Sequence, residues 1–269
     1  MRIGVDAGGT LIKAAYMNES EMKYRTFATK HMDDAVAWLH REFSGAKMCI
    51  TGGKAAELAS RLSFHLERQD EFQATCLGAI YLMKEQNTNA SDRFVLANVG
   101  TGTSIHVVNG EKFWRASGTG VGGGTFVGLS ALLTGEDDFE KLVELAEKGD
   151  RSKLDLLVKD IYTMTDSQIS GNLTASNFGK ADSSVESGAA DRVAAVLKMV
   201  AETVILLSTQ ACDRYETDTV VFIGSTFHNH PLMRETVKSY EKMAGKKVVF
   251  LQNGHMSGAV GAWLSLAER

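Results

Sequence analysis

Ile3-Gly4-Val5-Asp6-Ala7-Gly8-Gly9-Thr10-Leu11-Ile12-Lys13 opens the chain, and Leu96-Ala97-Asn98-Val99-Gly100-Thr101-Gly102-Thr103-Ser104-Ile105 repeats its design about a hundred residues later. Each copy is an apolar run, then Asp or Asn, then glycines with threonine, then a second apolar run. The pattern predicts a β-hairpin with a turn of nearly bare backbone. Glycine lets such a turn approach a ligand closely, and its N–H groups can cradle an anion. One copy alone is also satisfied by a plain hairpin that uses Gly8-Gly9 for its geometry. Two copies favour a pair of lobes whose turns face each other across a nucleotide's phosphates.

Working outward, residues 2–28 read as strands about the first turn, and Val36, Leu39 and Phe43 mark a helix over 33–44. A buried strand at 47–51 ends in Gly52-Gly53; a helix from Ala55 to Leu62 and an extended segment at 64–67 follow. Residues 71–86 read as a helix with Phe72, Cys76, Ala79, Ile80 and Met83 on one face. The polar stretch 87–92 is the expected boundary between lobes 1–90 and 91–269. Strands are expected at 93–99, 104–109 and 112–116, and helices from Gly124 to Leu133 and over 138–148. A long helix is expected over 188–216, with strands at 219–223 and 247–251. A helix should run from Pro231 to about Met243, and a last one from Ser257. The glycine run 117–125 is too rich in glycine for a strand interior, and residues 165–187 resist assignment. Strands alternating with helices make this an α/β protein.

With 269 residues the chain has room for a full core, and 44% apolar against 23% charged residues is ordinary for a globular protein. A net charge of -4 leaves no electrostatic footprint for nucleic acid. Cys49, Cys76 and Cys212 are isolated, so neither a disulfide framework nor a cysteine metal cluster is indicated. Neither a signal peptide nor a membrane span of about twenty apolar residues is seen, which makes the reducing cytoplasm the expected location.

Asp6, beside the first turn, is placed to hold Mg²⁺, while Thr10 and Lys13 offer a hydroxyl and a positive charge to the β and γ phosphates. Thr101, Thr103 and Ser104 supply further donors, and Asn98 replaces the acid in the second copy. The glycine run meets a helix start, where backbone amides and the helix dipole can form an anion site, although taken alone the run reads first as a flexible loop. Gly224-Ser225 after an apolar strand suits a flat adenine. Neither a Walker A sequence nor a clear dinucleotide fingerprint occurs. A phosphoryl acceptor needs a carboxylate to orient it, and Glu67, Asp70 and Glu71 fall together at a helix start, a position that lowers a carboxylate's pKa. Arg115 enters the glycine run, where it can stabilise transferring charge, grip a polar substrate or simply form a surface ion pair.

Together the segments VDAGGTLIK (5–13), TGG (51–53), EF (71–72), LANVGTGTS (96–104), the run 115–124, GDR (149–151), NLTASNFG (172–179), FIGSTFHN (222–229) and NGHMSGAVGA (253–262) resemble the type II pantothenate kinases. These belong to the superfamily of acetate and sugar kinases, heat-shock chaperones and actin. The resemblance implies two ribonuclease H-like lobes of the actin-like ATPase superfamily with an interlobe nucleotide cleft. It implies ATP-dependent phosphorylation of pantothenate, with Glu71 as base and Arg115 in the pantothenate pocket. It assigns ATP and Mg²⁺ to Asp6, Ala7, Gly8, Gly9, Thr10, Leu11, Ile12 and Lys13, to Thr101, to Gly122, Gly123, Gly124, Thr125 and Phe126, and to Phe139 and Ser225. It also implies a homodimer in which Tyr240 of one copy lies near pantothenate of the other. A hexosamine kinase of the same superfamily and an ATP-driven conformational switch are the competing readings. The zinc-binding CxCGxxGC pattern of many such sugar kinases, a client-binding domain and a cluster-bridging cysteine pair are all missing.

Overall fold

A computed structural model describes residues 1–88, 92–162, 170–182 and 186–267. The first sheet holds β1 (Arg2–Ala7), β2 (Leu11–Asn18), β3 (Glu21–Ala28), β4 (Lys47–Thr51) and β5 (Leu66–Arg68), in the order β3-β2-β1-β4-β5. Helices α1 (Met32–Glu42) and α2 (Ala55–Ser60) fall within this part, and α3 (Glu71–Glu85) leaves it. The second sheet contains β6 (Arg93–Val99), β7 (Thr103–Asn109) and β8 (Lys112–Thr119), followed by α4 (Gly123–Thr134) and α5 (Phe139–Lys148). A small ribbon of β9 (Leu156–Leu157) and β10 (Thr174–Ser176) flanks α6 (Val158–Ile161). Then come α7 (Ala189–Arg214), β11 (Thr219–Ile223), α8 (Pro231–Lys238), α9 (Glu241–Ala244), β12 (Lys247–Phe250) and α10 (Ser257–Ser265). The second sheet runs β12-β11-β6-β7-β8. Both sheets therefore share one plan: three antiparallel strands, then two parallel ones beside the first. The duplicated hairpin of the sequence is the visible part of a duplicated lobe.

Strand alternation sorts the residues by face. In β1, Ile3, Val5 and Ala7 pack outward with Met32, Ala35, Trp38 and Leu39 of α1 and Leu58 of α2. In β6, Val95, Ala97 and Val99 face a core made largely by α7. The inner faces look toward each other, and two helices lie between them. Cys76, Ala79, Leu82 and Met83 of α3 pack on Phe94, Leu96 and Val221 of the second sheet. Ala259, Val260 and Ala262 of α10 pack on Ala15 and Cys49 of the first. Each helix thus covers the sheet of the other lobe. The carboxyl-terminal helix, expected within lobe 91–269, packs on the sheet of the first.

Four expectations are corrected. Phe72 is 40% exposed and stays out of the α3 core face, where Leu82 takes part instead. Strand β8 continues through the glycines to Thr119, because ladder pairing with Thr103 and Ser104 holds Gly118 and Thr119 extended. The helix from Pro231 stops at Lys238, and the chain turns so that Tyr240 enters the core before α9 begins. Finally, α7 is long and apolar enough to cross a bilayer. Its Val193, Val196, Val200 and Val204 are instead spent on the second lobe's core. Of the unassigned stretch 165–187, residues 165–169 and 183–185 lie outside the described residues.

Candidate active site

The two repeated turns are both three residues long: Gly8-Gly9-Thr10 between β1 and β2, and Gly100-Thr101-Gly102 between β6 and β7. Gly8 N donates to Leu11 O at 3.0 Å and Gly100 N to Gly102 O at 2.9 Å. Thr29 pins the first turn from outside, through its hydroxyl to Gly8 O (3.0 Å) and its amide to Thr10 O (2.8 Å). The tips then meet. Thr10 Oγ1 and Thr101 Oγ1 lie 2.9 Å apart, 91 residues apart in the chain, and both side chains are exposed. The lobes approach at the glycine turns, as the duplicated pattern predicts.

Alternation decides which residues of Asp6–Lys13 reach the cleft. Ala7 and Ile12 belong to the outer core, so they contribute only backbone. Asp6 and Lys13 are opposite each other in the β1–β2 ladder on the inner face, with Lys13 Nζ 3.4 Å from Asp6 Oδ2. Two glycines crowd the Asp6 carboxyl. A Cβ at Gly52, whose φ is +96°, would lie 2.6 Å from Asp6 Oδ1, and one at Gly258 would lie 2.8 Å from Oδ2. Gly52 lies in the TGG segment and Gly258 in NGHMSGAVGA, and neither stretch by itself says what its glycine packs against. His255 also comes near Lys13; burial first, then the His228 ring 3.9 Å away and the Lys13 charge, hold its pKa down at about 3.

The third glycine run plays a different part from the one expected. Gly123 N donates to Gly100 O (2.8 Å), Gly124 N to Thr101 O (2.9 Å) and Gly122 N to the Thr125 hydroxyl (3.2 Å). The first amides of α4 are therefore occupied by the second turn, which they brace, and are not bare donors for an anion. Thr226 adds a hydroxyl bond to Gly100 O at 3.0 Å. Phe126 is 2% exposed and belongs to the core. Its ring meets Phe139, which is half-buried at the start of α5, edge-on at 5.9 Å. Thr103, expected as a donor, is spent on Val121 O (2.8 Å). Ser225 opens a short turn after β11 and is half-buried.

Glu71 is the first residue of α3, behind the N-cap Asp70, whose carboxylate accepts from Gln73 N at 2.9 Å. Its side chain is exposed to the cleft, yet the protein on either side strips part of its hydration. That desolvation, with repulsion from Asp6 and Asp70, raises its pKa, against an opposing pull from Lys13. The direction is opposite to the lowering expected at a helix start, with partial burial the first cause and the Asp6 carboxylate the next. The mutual influence of Glu71, Asp6 and Lys13 puts the candidate base beside the first turn.

Arg115 is on the same inner face as the ladder partner of His106, and the β-bulge that follows it turns Gly118 to that face as well. Ile105 pairs with Ser117 but His106 pairs with Arg115, so Ala116 is the extra residue. The Arg115 guanidinium lies 5.6 Å above the Phe72 ring and fills the space beside Gly118, where a Cβ would collide with it. Phe72 in turn lies 5.2 Å from the His106 ring. Glu71, Phe72, Arg115 and His106 form one corner of the cleft, and His106 was not foreseen. Tyr240, by contrast, is 8% exposed, sits in the outer core of the second lobe and donates its hydroxyl to Glu202. The structure does not bring it to this corner of its own chain.

A family model described as Fumble matches residues 18–265. A type II pantothenate kinase of Bacillus thuringiensis subsp. konkukian is 43% identical over 99% of this chain and 98% of its own length. The chain belongs to the Fumble family, that of the type II pantothenate kinases. A second relative with the same name, from Staphylococcus aureus, is 38% identical over 97% of this chain and 98% of its own. The fold of this Fumble-family chain is also that of a ROK family glucokinase from Streptomyces griseus, with a TM-score of 0.66 at 14% identity over 100% and 99% of the two chains. That likeness bears out the two-lobed α/β fold.

For a cation, the inner face offers Asp6. Its carboxylate is a hard oxygen donor on that face beside the first glycine turn, closely flanked by Gly52 and Gly258. Among the described residues no group of three His, Cys, Asp or Glu side chains converges. One carboxylate, with water and phosphate oxygens completing the shell, is how Mg²⁺ is commonly held in kinases, and the residues fit that use.

Proposed function

We propose that this chain transfers the γ-phosphoryl group of MgATP to the primary hydroxyl of pantothenate, giving 4'-phosphopantothenate, the first step toward coenzyme A. The observation that carries the reading is the contact of Thr10 with Thr101, which closes two glycine turns on one space beside Glu71. The names of the 38–43% identical relatives support pantothenate as the acceptor.

Asp6 would hold Mg²⁺, which supplies charge neutralisation to the phosphates when bound. Gly8, Gly9, Thr10 and Thr101 lie along the phosphates, Lys13 adds a positive charge, and Ser225 and Phe139 border the adenosine. In the Gly122–Phe126 segment, Gly123 and Gly124 brace the second turn through their amides. Glu71 orients the acceptor hydroxyl and takes its proton as the new O–P bond forms and the bond to ADP breaks. Arg115 meets the charge on the transferring group. Lobe closure excludes water from it.

The buried free thiols of Cys49, Cys76 and Cys212 are compatible with a cytoplasmic enzyme. The unit is proposed as a homodimer, for which the exposed Leu132, Leu133 and Leu206 supply apolar surface. The deciding experiment measures ADP release with pantothenate, with hexosamines and with no acceptor. Release dependent on pantothenate alone is expected. Release dependent on a hexosamine would mark a sugar kinase, and acceptor-independent release would mark a switch.

A further inference from the structure

His106 is 1% exposed, lies outside the reaction steps above, and sits at their edge. It is on the inner face of β7, opposite Arg115 in the ladder and against Phe72, the residue after the candidate base. Its Nε2 is 3.0 Å from Ser104 Oγ, and its Nδ1 is buried without a partner. A buried N–H left unpaired is rarer than a buried lone pair left unpaired. The proton therefore belongs on Nε2, which donates to Ser104. Ser104 must then turn its own hydroxyl hydrogen away from the histidine. Its ladder partner is Gly118, the glycine that leaves space for the Arg115 guanidinium. The two donors thus lie side by side on the half-exposed wall next to Glu71. The ring stays neutral, since burial first and the Arg115 charge second lower its pKa to about 4, with Asp70 pulling the other way.

We propose that His106 is a positioning residue of the acceptor pocket: its Nε2–H fixes Ser104 as an outward hydroxyl donor to an acceptor oxygen. This rests on the pantothenate reading of the site.

The test compares wild type, Ser104→Ala, His106→Leu and the double variant by steady-state kinetics, with His106→Gln and His106→Asn as a second pair. A hydrogen bond of this kind corresponds to about a tenfold change in affinity. His106→Leu should raise the pantothenate KM about tenfold, with the ATP KM unchanged, and the double variant should lose no more than Ser104→Ala alone. Gln carries its amide near the Nε2 position and should restore the wild-type KM; Asn, one bond shorter, should not. If His106→Leu does not fold, the Gln–Asn pair carries the same comparison. Additive losses in the double variant, an equal rise in the ATP KM, or equal behaviour of Gln and Asn would overturn the role. Wild-type enzyme without pantothenate-dependent turnover would instead overturn the substrate reading.

Discussion

Glu71 shows how one residue is governed by two opposing effects. At a helix start the dipole favours the ionised carboxyl. In the folded cleft, desolvation and repulsion from Asp6 and Asp70 favour the neutral one, and they win. Such a base is stronger than an ordinary glutamate and needs to be deprotonated to work. Turnover should therefore fall as pH drops through a value above the usual 4.5 of a free glutamate. Glu71→Gln should lower kcat by about 10²–10⁴-fold and remove that acidic limb, while ATP affinity stays near wild type. A pH–rate profile with a limb below 4.5, or unchanged turnover in the variant, would contradict the assignment. The carboxylate's presence at a helix start was legible in the sequence, because the N-cap pattern is local. Its raised pKa was not, since Asp6 lies 65 positions away and comes near only through the fold.

At the scale of elements, α3 and α10 cross with almost no side chain between them. A Cβ at Gly78 would run into the backbone of Ser257, and one at Gly261 into Ala74 O. Backbone contact of this kind lets each helix reach the opposite lobe's sheet while staying against its partner. Gly261→Ala should therefore cost on the order of 1–3 kcal/mol from overpacking, lowering Tm by a few degrees in calorimetry. An unchanged Tm would mean the helices are not in backbone contact. Most element types and many boundaries were legible, because apolar periodicity reports the buried face directly. The misreadings share a cause. Gly118 and Thr119 are held in β8 by pairing with β7, and the turn at Ser239 brings Tyr240 to Glu202. In both cases a partner distant in sequence overrides the local preference.

For the whole molecule, two sheets of the same plan face each other through crossed helices, with the glycine turns in contact at the cleft. The proposed homodimer predicts a sedimentation mass twice that of the chain at micromolar concentration. Leu206→Glu on α7 should shift the protein toward the monomer while leaving far-ultraviolet circular dichroism unchanged. A wild-type chain that sediments as a monomer would remove the dimer. Tyr240 then belongs wholly to its own lobe's core, where burial and Glu202 raise its pKa.

By itself, the amino-acid sequence determined the α/β class, the duplicated hairpin, the paired glycine turns and the position of the candidate base. Each of these is written in residues close together in the chain, where glycine, threonine and apolar spacing act locally. Only the tertiary structure decided that Gly52 and Gly258 pack against the Asp6 carboxyl, that the α4 amides brace the second turn, and that His106 lies against Ser104, Phe72 and Arg115. Those depend on backbone approach, a bulge and desolvation between distant segments, which no local pattern encodes.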